Sequence, residues 1–286
     1  MIYDSSSLQA FKDCPERYRL SYILGLRKRQ EGVENIDLNF GKAIHSGLEA
    51  HYKGKNAREA FTKEFGTIVA PDEKVKTLDN GLLLIDAYIK HYEQEDKAFE
   101  VLEIEQPDRV KLTDDIEFVV KRDTVIKQQG CIYVLEHKTT KKNFGWDYWS
   151  RFEPNAQVSA QAFSCAKKYG ECSGVIINAI KCGFRERAYK GEPAGFHCAF
   201  QRQIFNRNQA QLEDWKQNTE NWISEIEDKI EIDCKYGWKK NEGQCVYCQF
   251  KEICTSLQDE CVVEQLYENA ENPFAYLGDM EKKETK

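Results

Sequence analysis

The chain has 286 residues, 41% of them apolar and 31% charged, and carries a net charge of −7. That length accommodates one large domain or two modest ones, and the acidity excludes a protein that coats nucleic acid over its whole surface, though not one with a local basic track. No apolar run approaches a bilayer span, GLLLIDAYI being the best, and MIYDSSSLQAF lacks a basic-then-apolar leader, so a soluble protein of a reducing, cytoplasmic compartment is expected. Residues 5–26 read as helical, with Ser5, Ser6 or Ser7 as N-cap and Leu8, Phe11, Tyr18, Tyr22 and Leu26 near helical spacing. Pro15 predicts a break or a second helix start near Cys14. Helices follow at 41–66, where Gly54 is a candidate interruption, and at 76–95. Extended segments are expected at 99–106, 116–127 and 131–138, and Gln129-Gly130 reads as a two-residue hairpin turn between the last two. A helix at 155–169, an apolar strand at 174–180, a strand at 197–205 and an amphipathic helix at 207–231 complete the pattern.

The hairpin carries the chemistry. A turn centred on Gln129-Gly130 sets Asp123 opposite Glu136, and Lys138 shares the face of Glu136 while His137 points the other way. Facing carboxylates destabilise a sheet unless a divalent cation between them reverses the sign. Carboxylate-held Mg²⁺ or Mn²⁺ next to an ammonium suits phosphodiester hydrolysis. His45, in GKAIHSGLEAHYKG, adds an imidazole donor, with Glu49 one helical turn on as its expected support.

Eleven cysteines without a leader point to metal-bound or free thiols. Cys245, Cys248 and Cys254 have C-x2-C-x5-C spacing, and Cys14 stands more than two hundred residues away. Three clustered thiolates plus one distant one suit a 4Fe-4S cluster and would clip the chain ends together. Zinc on Cys234, Cys245, Cys248 and Cys254 is the competing site. The remaining cysteines (131, 165, 172, 182, 198, 261, and 234 if it holds no metal) read as small buried side chains.

In order, SSLQAFKDCPERYRLSYILGLR, GKAIHSGLE, RDTV, VLEHKTTKK, NAQVSAQAF and CVYCQFKEIC resemble the segments of PD-(D/E)XK nucleases of the RecB-like exonuclease branch that carries an iron–sulfur cluster, over roughly residues 1–255. The resemblance implies a central mixed β-sheet flanked by helices, with an iron–sulfur cap built from both chain ends. It implies His45, Asp123 and Glu136 as metal ligands with the His137 backbone carbonyl as a further one, Lys138 as the catalytic lysine, and Gln157 as a contact to the active site or DNA. The family usually has Tyr four residues after that glutamine, and this chain has Gln161. The divisions expected are an N-terminal segment at 1–40, a nuclease core at 41–206, a closing helix and cysteine motif at 207–260, and a polar tail at 261–286.

NFGWDYWSRFE packs Phe144, Trp146, Tyr148, Trp149 and Phe152 just after the E-x-K strand. Such density fits either core packing or a stacking platform for single-stranded DNA, with Lys141, Lys142 and Arg151 on phosphates. The expected activity is metal-dependent DNA hydrolysis at single-stranded or free ends, with non-catalytic DNA binding or assembly as the alternative. A helicase or a recombination or CRISPR-adaptation protein is the expected partner, since no Walker A motif supplies a motor.

Overall fold

A computed structural model describes residues 2–29, 35–66, 73–188, 191, 193–232 and 237–270. In chain order the elements are β1 Ile2–Asp4, α1 Ser5–Asp13, α2 Pro15–Tyr18, β2 Leu26–Lys28, α3 Ile36–Tyr52, α4 Ala57–Phe65, α5 Leu78–Asp96, β3 Glu100–Lys111, β4 Glu117–Gln128 and β5 Cys131–Thr140. There follow α6 Trp146–Trp149, α7 Ala156–Tyr169, β6 Gly174–Arg185, β7 Gly195–Phe205, α8 Gln209–Glu231, α9 Lys251–Thr255, α10 Glu260–Leu266 and β8 Tyr267–Asn269. The chain divides into two units: Met1–Val33, Arg109–Val120 and Glu213–Lys286 form one, and Glu34–Asp108 with Lys121–Leu212 the other. The expected core at 41–206 therefore loses Arg109–Val120 to the first unit.

In the second unit the strand order is β4-β5-β6-β7, with β3 also on β4. The β4–β5 and β6–β7 pairs are antiparallel and β5–β6 is parallel, so the sheet is mixed. Gln129 and Gly130 both have positive φ, 50° and 84°, as a type I′ hairpin turn requires. The register then follows as expected, from Gln128↔Cys131 to Thr124↔Leu135. Alternation along β5 turns His137 and Glu136 to opposite faces. His137 stacks on Tyr52 of α3 and meets Tyr88 of α5, whereas Glu136 meets Gln157 and Gln161 of α7. A large core cluster lies on the His137 side, where Phe40, Ile44, Phe61, Leu84 and Tyr88 pack with Ile180 and Cys182 of β6. Gly47 is needed there, because a Cβ would sit 2.8 Å from the Ile85 methyl. The candidate break is real: Gly54 has φ 66°, and Asn56 caps a new helix, α4.

In the first unit, β1 pairs in parallel with the first residues of β4, Ile2↔Glu117 to Asp4↔Val119. The cap of α1 is Asp4 rather than one of the serines. Its carboxylate accepts the Ser7 N–H at 2.7 Å and Ser7 Oγ accepts the Asp4 N–H at 3.0 Å, a reciprocal capping box. Cys14 is extended, with φ −165°, and Pro15 starts α2, as the proline predicts. The expected helix ends early: a π turn at Arg19–Ile23 leads out, and Leu26 sits in β2, which pairs antiparallel with β8. That pairing also corrects the expected polar tail, since α10 and β8 fall inside it and Tyr267 is buried against Leu20, Phe250 and Ile253.

Candidate active site

Four elements of the second unit deliver the site: α3 brings His45, β4 brings Asp123, β5 brings Glu136, His137 and Lys138, and α7 brings Gln157 and Gln161. The β4–β5 ladder stops at Thr124↔Leu135. One step on, Asp123 Oδ2 accepts the His137 N–H at 2.8 Å and lies 3.3 Å from His45 Nδ1. Glu136 is buried and held on three sides: Gln157 Nε2 donates to Oε1 at 3.0 Å, Gln161 Nε2 donates to Oε2 at 2.6 Å, and Lys138 Nζ lies 2.6 Å from Oε1. Lys138 also donates to Gln157 Oε1 at 3.1 Å, so one glutamine bridges acid and base. The sequence-predicted set thus comes together, but its two carboxylates do different things. Asp123 faces the imidazole, and Glu136 faces α7 and the ammonium.

Their electrostatics separate accordingly. Burial pushes both carboxyls up, but the His45 charge and hydrogen bond, then the His137 backbone, hold Asp123 well below the usual range. For Glu136, burial and the nearby Asp123 charge outweigh Lys138, and its pKa is raised. Burial lowers the Lys138 pKa, but the Glu136 carboxylate more than restores it, so Lys138 stays cationic. Two carboxyls pushed apart beside a lysine match the arrangement that acid–base sites use.

Behind β5 lies a second network. Burial pushes His137 down to about 3, so its imidazole is neutral. Asn178 of β6 sits 2.7 Å from His137 Nδ1 and donates to the Tyr88 hydroxyl at 2.6 Å. Arg202 of β7 donates to the hydroxyls of Tyr88 and Tyr52 and pairs with Asp96 at 2.8 Å. The network locks the residue whose N–H holds Asp123.

A cleft of about 690 Å³ opens beside Asp123, lined among others by Asp37, Gly41, His45, Glu105 and Lys121. Glu49 lines it too but pairs with Lys53, not with His45. The aromatic run after β5 divides: Tyr148, Trp149 and Phe152 are core, and Trp146 is 81% exposed. Lys142 is exposed, and Lys141 is exposed but points to Asp37 at 3.4 Å. Arg151 lies over the rings of Tyr148 and Phe152, 4.1 and 4.7 Å from their centroids. Of the other cysteines, Cys165 and Cys182 are buried, whereas Cys261 lies exposed on α10 and Cys234 falls outside the described residues.

Three residues escaped the sequence. Glu105 of β3 converges with His45 and Asp123, their ligand atoms lying within 4.8 Å of one another. Gln161, to which the sequence assigned no role, is fully buried and donates also to the Lys121 carbonyl at 3.2 Å. Asn178 is the polar break in GVIINAI, and a lone buried amide in an apolar strand is the signal that marks it.

In the first unit, the chain ends meet around the cysteines. The Glu16 N–H donates to the Lys239 carbonyl at 3.1 Å, and Cys14 Sγ lies 3.9 Å from the same oxygen. Cys248 and Cys254 pack on the core of Leu20 and Phe250. Burial pushes the Cys254 thiol up to about 11, with Cys248 and Cys14 adding to the shift through their charge. Cys245 sits in the 3-10 turn Glu242–Tyr247.

The fold and this constellation are those of a nuclease, and the family comparison agrees: the model of the PD-(D/E)XK nuclease superfamily matches residues 5–255. The chain belongs to that superfamily. Among solved structures it is similar to a candidate exonuclease from Eubacterium rectale, at 13% identity over 84% of this chain and 85% of that one, with a TM-score of 0.51. An alkaline exonuclease from Laribacter hongkongensis matches at 11% identity over 68% of this chain and 95% of that one, with a TM-score of 0.29. The first of these likenesses concerns the fold: a central mixed sheet flanked by helices. No curated protein matches the chain. Among the described residues no helix is long and apolar enough to cross a membrane.

Proposed function

We propose that this protein is a Mg²⁺- or Mn²⁺-dependent deoxyribonuclease that trims single-stranded or free DNA ends. The observation that carries the reading is the face on which buried Asp123 and Glu136 meet half-buried Lys138, with His45 against Asp123. His45, Asp123, Glu136 and the His137 carbonyl would hold the cation. In an extended strand the N–H and C=O of one residue leave on the same side, so the carbonyl faces the way the N–H reaches Asp123. Oxygen donors suit Mg²⁺, and the imidazole extends the range to Mn²⁺. When bound, such a cation polarises a phosphate and acidifies a water. Lys138 supplies a fixed positive charge for the phosphate, and Gln157 keeps it aimed by gripping Lys138 and Glu136 together. Trp146, exposed near Lys141 and Lys142, offers an unpaired base a stacking surface, with Arg151 nearby for a phosphate. Free ends of this kind arise in recombination, repair and CRISPR adaptation in a bacterial or phage-infected cytoplasm, where a helicase or adaptation protein would be the partner.

The second cofactor in this reading is a 4Fe-4S cluster on Cys14, Cys245, Cys248 and Cys254. Cys14 lies beside the Lys239 carbonyl while Cys248 and Cys254 pack on the Leu20–Phe250 core of the same unit, which supports a two-ended site over a local zinc site using Cys234. The Cys254 thiol, pushed up by its partial burial, resists ionisation unless a cationic centre takes its charge, and a cluster would provide one.

The test compares end-labelled linear single strands with a covalently closed single-stranded circle, with Mn²⁺ and with EDTA. Shortening of the linear strand, sparing of the circle and arrest by EDTA are expected. Equal loss of the circle contradicts an exonuclease, and no cleavage of either contradicts a nuclease.

A further inference from the structure

The cation donors expected from the sequence do not all point one way. Glu136 is engaged by Gln157, Gln161 and Lys138, while the ligand atoms of His45, Glu105 and Asp123 lie within 4.8 Å of one another. Glu105 comes from β3, a strand that contributes no other residue to the site, and its carboxylate pairs with Lys121 of β4. Both residues line the 690 Å³ cleft next to Asp123. Two carboxylates and an imidazole from three separate elements make a donor set that a divalent cation can use without moving Glu136 from its glutamines.

We propose that Glu105 is a direct cation ligand alongside His45 and Asp123, and that Lys121 is the built-in competitor that holds Glu105 until a cation displaces it. The inference rests on the reading of Asp123 as a cation ligand. Its consequence is a pair of opposite effects. Removing the Glu105 charge takes away a donor. Removing the Lys121 charge takes away a repulsive neighbour and frees the donor. An ordinary surface ion pair has no such asymmetry, because either substitution breaks the same bond.

The experiment is Mn²⁺ titration of the full chain without DNA, followed by electron paramagnetic resonance of free Mn²⁺. Glu105→Gln, which keeps the shape of the side chain, is expected to weaken binding about tenfold or more, whereas Lys121→Met tightens it several-fold. Glu105→Asp, which withdraws the charge by one methylene, falls between wild type and Glu105→Gln. Wild-type affinity in Glu105→Gln, or a shift of the same sign in Glu105→Gln and Lys121→Met, overturns the assignment while leaving Asp123 as a ligand. If wild type binds no Mn²⁺, the whole cation site falls and Glu105 with it. Because the readout is binding, a loss of cleavage from any other cause does not enter.

Discussion

Lys138 is the residue on which rate should depend most steeply. It lies 2.6 Å from one Glu136 oxygen and 3.1 Å from Gln157, buried enough that its charge acts at high strength. Lys138→Ala should lower turnover by about two to three orders of magnitude while Mn²⁺ affinity stays within a few-fold, because the contact strengthens as charge develops on the phosphate. Lys138→Arg should recover little, since a planar fork does not replace a compact ammonium between two fixed acceptors. Single-turnover cleavage beside Mn²⁺ titration checks both, and full activity in the arginine variant would reduce Lys138 to a source of positive field. At this scale much was legible: Asp123, Glu136 and Lys138 follow from one turn and a period of two. Glu105 was not, because its φ of 49° disturbs the two-residue alternation along β3 on which such a reading depends.

The element that supports the site is β5 with its backing network. Asp96, on the last turn of α5, is held below the ordinary carboxylate range: burial alone raises it, but His51, Arg202 and Tyr52 outweigh that. A depressed folded pKa means stability that is present above the unfolded value and lost as pH falls through the folded one. Wild-type stability should therefore decline from about pH 5 downward. Asp96→Asn should be less stable at pH 7 by about 2 kcal/mol, since Arg202 loses its buried carboxylate and keeps only the exposed Glu95, and should show a shallower acid limb. Urea unfolding at a series of pH values measures both, and parallel acid limbs in the two proteins would contradict the role given to Asp96. The β4–β5 hairpin was readable because Gln129-Gly130 is a strong local signal. β1, β2 and β8 were not, being three residues each and stabilised only by partners far away in sequence. The same holds for the exit from α2, where a π turn rather than further helix carries the chain to β2.

At the scale of the molecule, the proposed cysteine clip would set what the first unit can withstand. A covalent closure from residue 14 to residues 245–254 constrains a loop of more than two hundred residues, worth on the order of 4–5 kcal/mol in the chain-entropy account. Domains of this size have only about 5–15 kcal/mol of net stability. Cys14→Ser should then lose iron and become sensitive to limited proteolysis, while Cys234→Ser keeps both iron and resistance. Iron analysis and a visible spectrum on anaerobically prepared protein decide the matter. Metal lost only in Cys234→Ser would transfer the site to a local zinc. The division into two units was hidden from the sequence, because Arg109–Val120 belongs with the chain ends rather than with the hairpin it leads into.

The central claim is that Asp123 and its partners cut DNA with a divalent cation. Its most direct test is single-turnover cleavage of a 5′-labelled single strand by wild type and Asp123→Asn, each stripped with EDTA and then given Mn²⁺. The account predicts that Mn²⁺ restores shortening of the strand by wild type and restores nothing in Asp123→Asn, although that variant melts within a few degrees of wild type. Equal cleavage by the two proteins would contradict it.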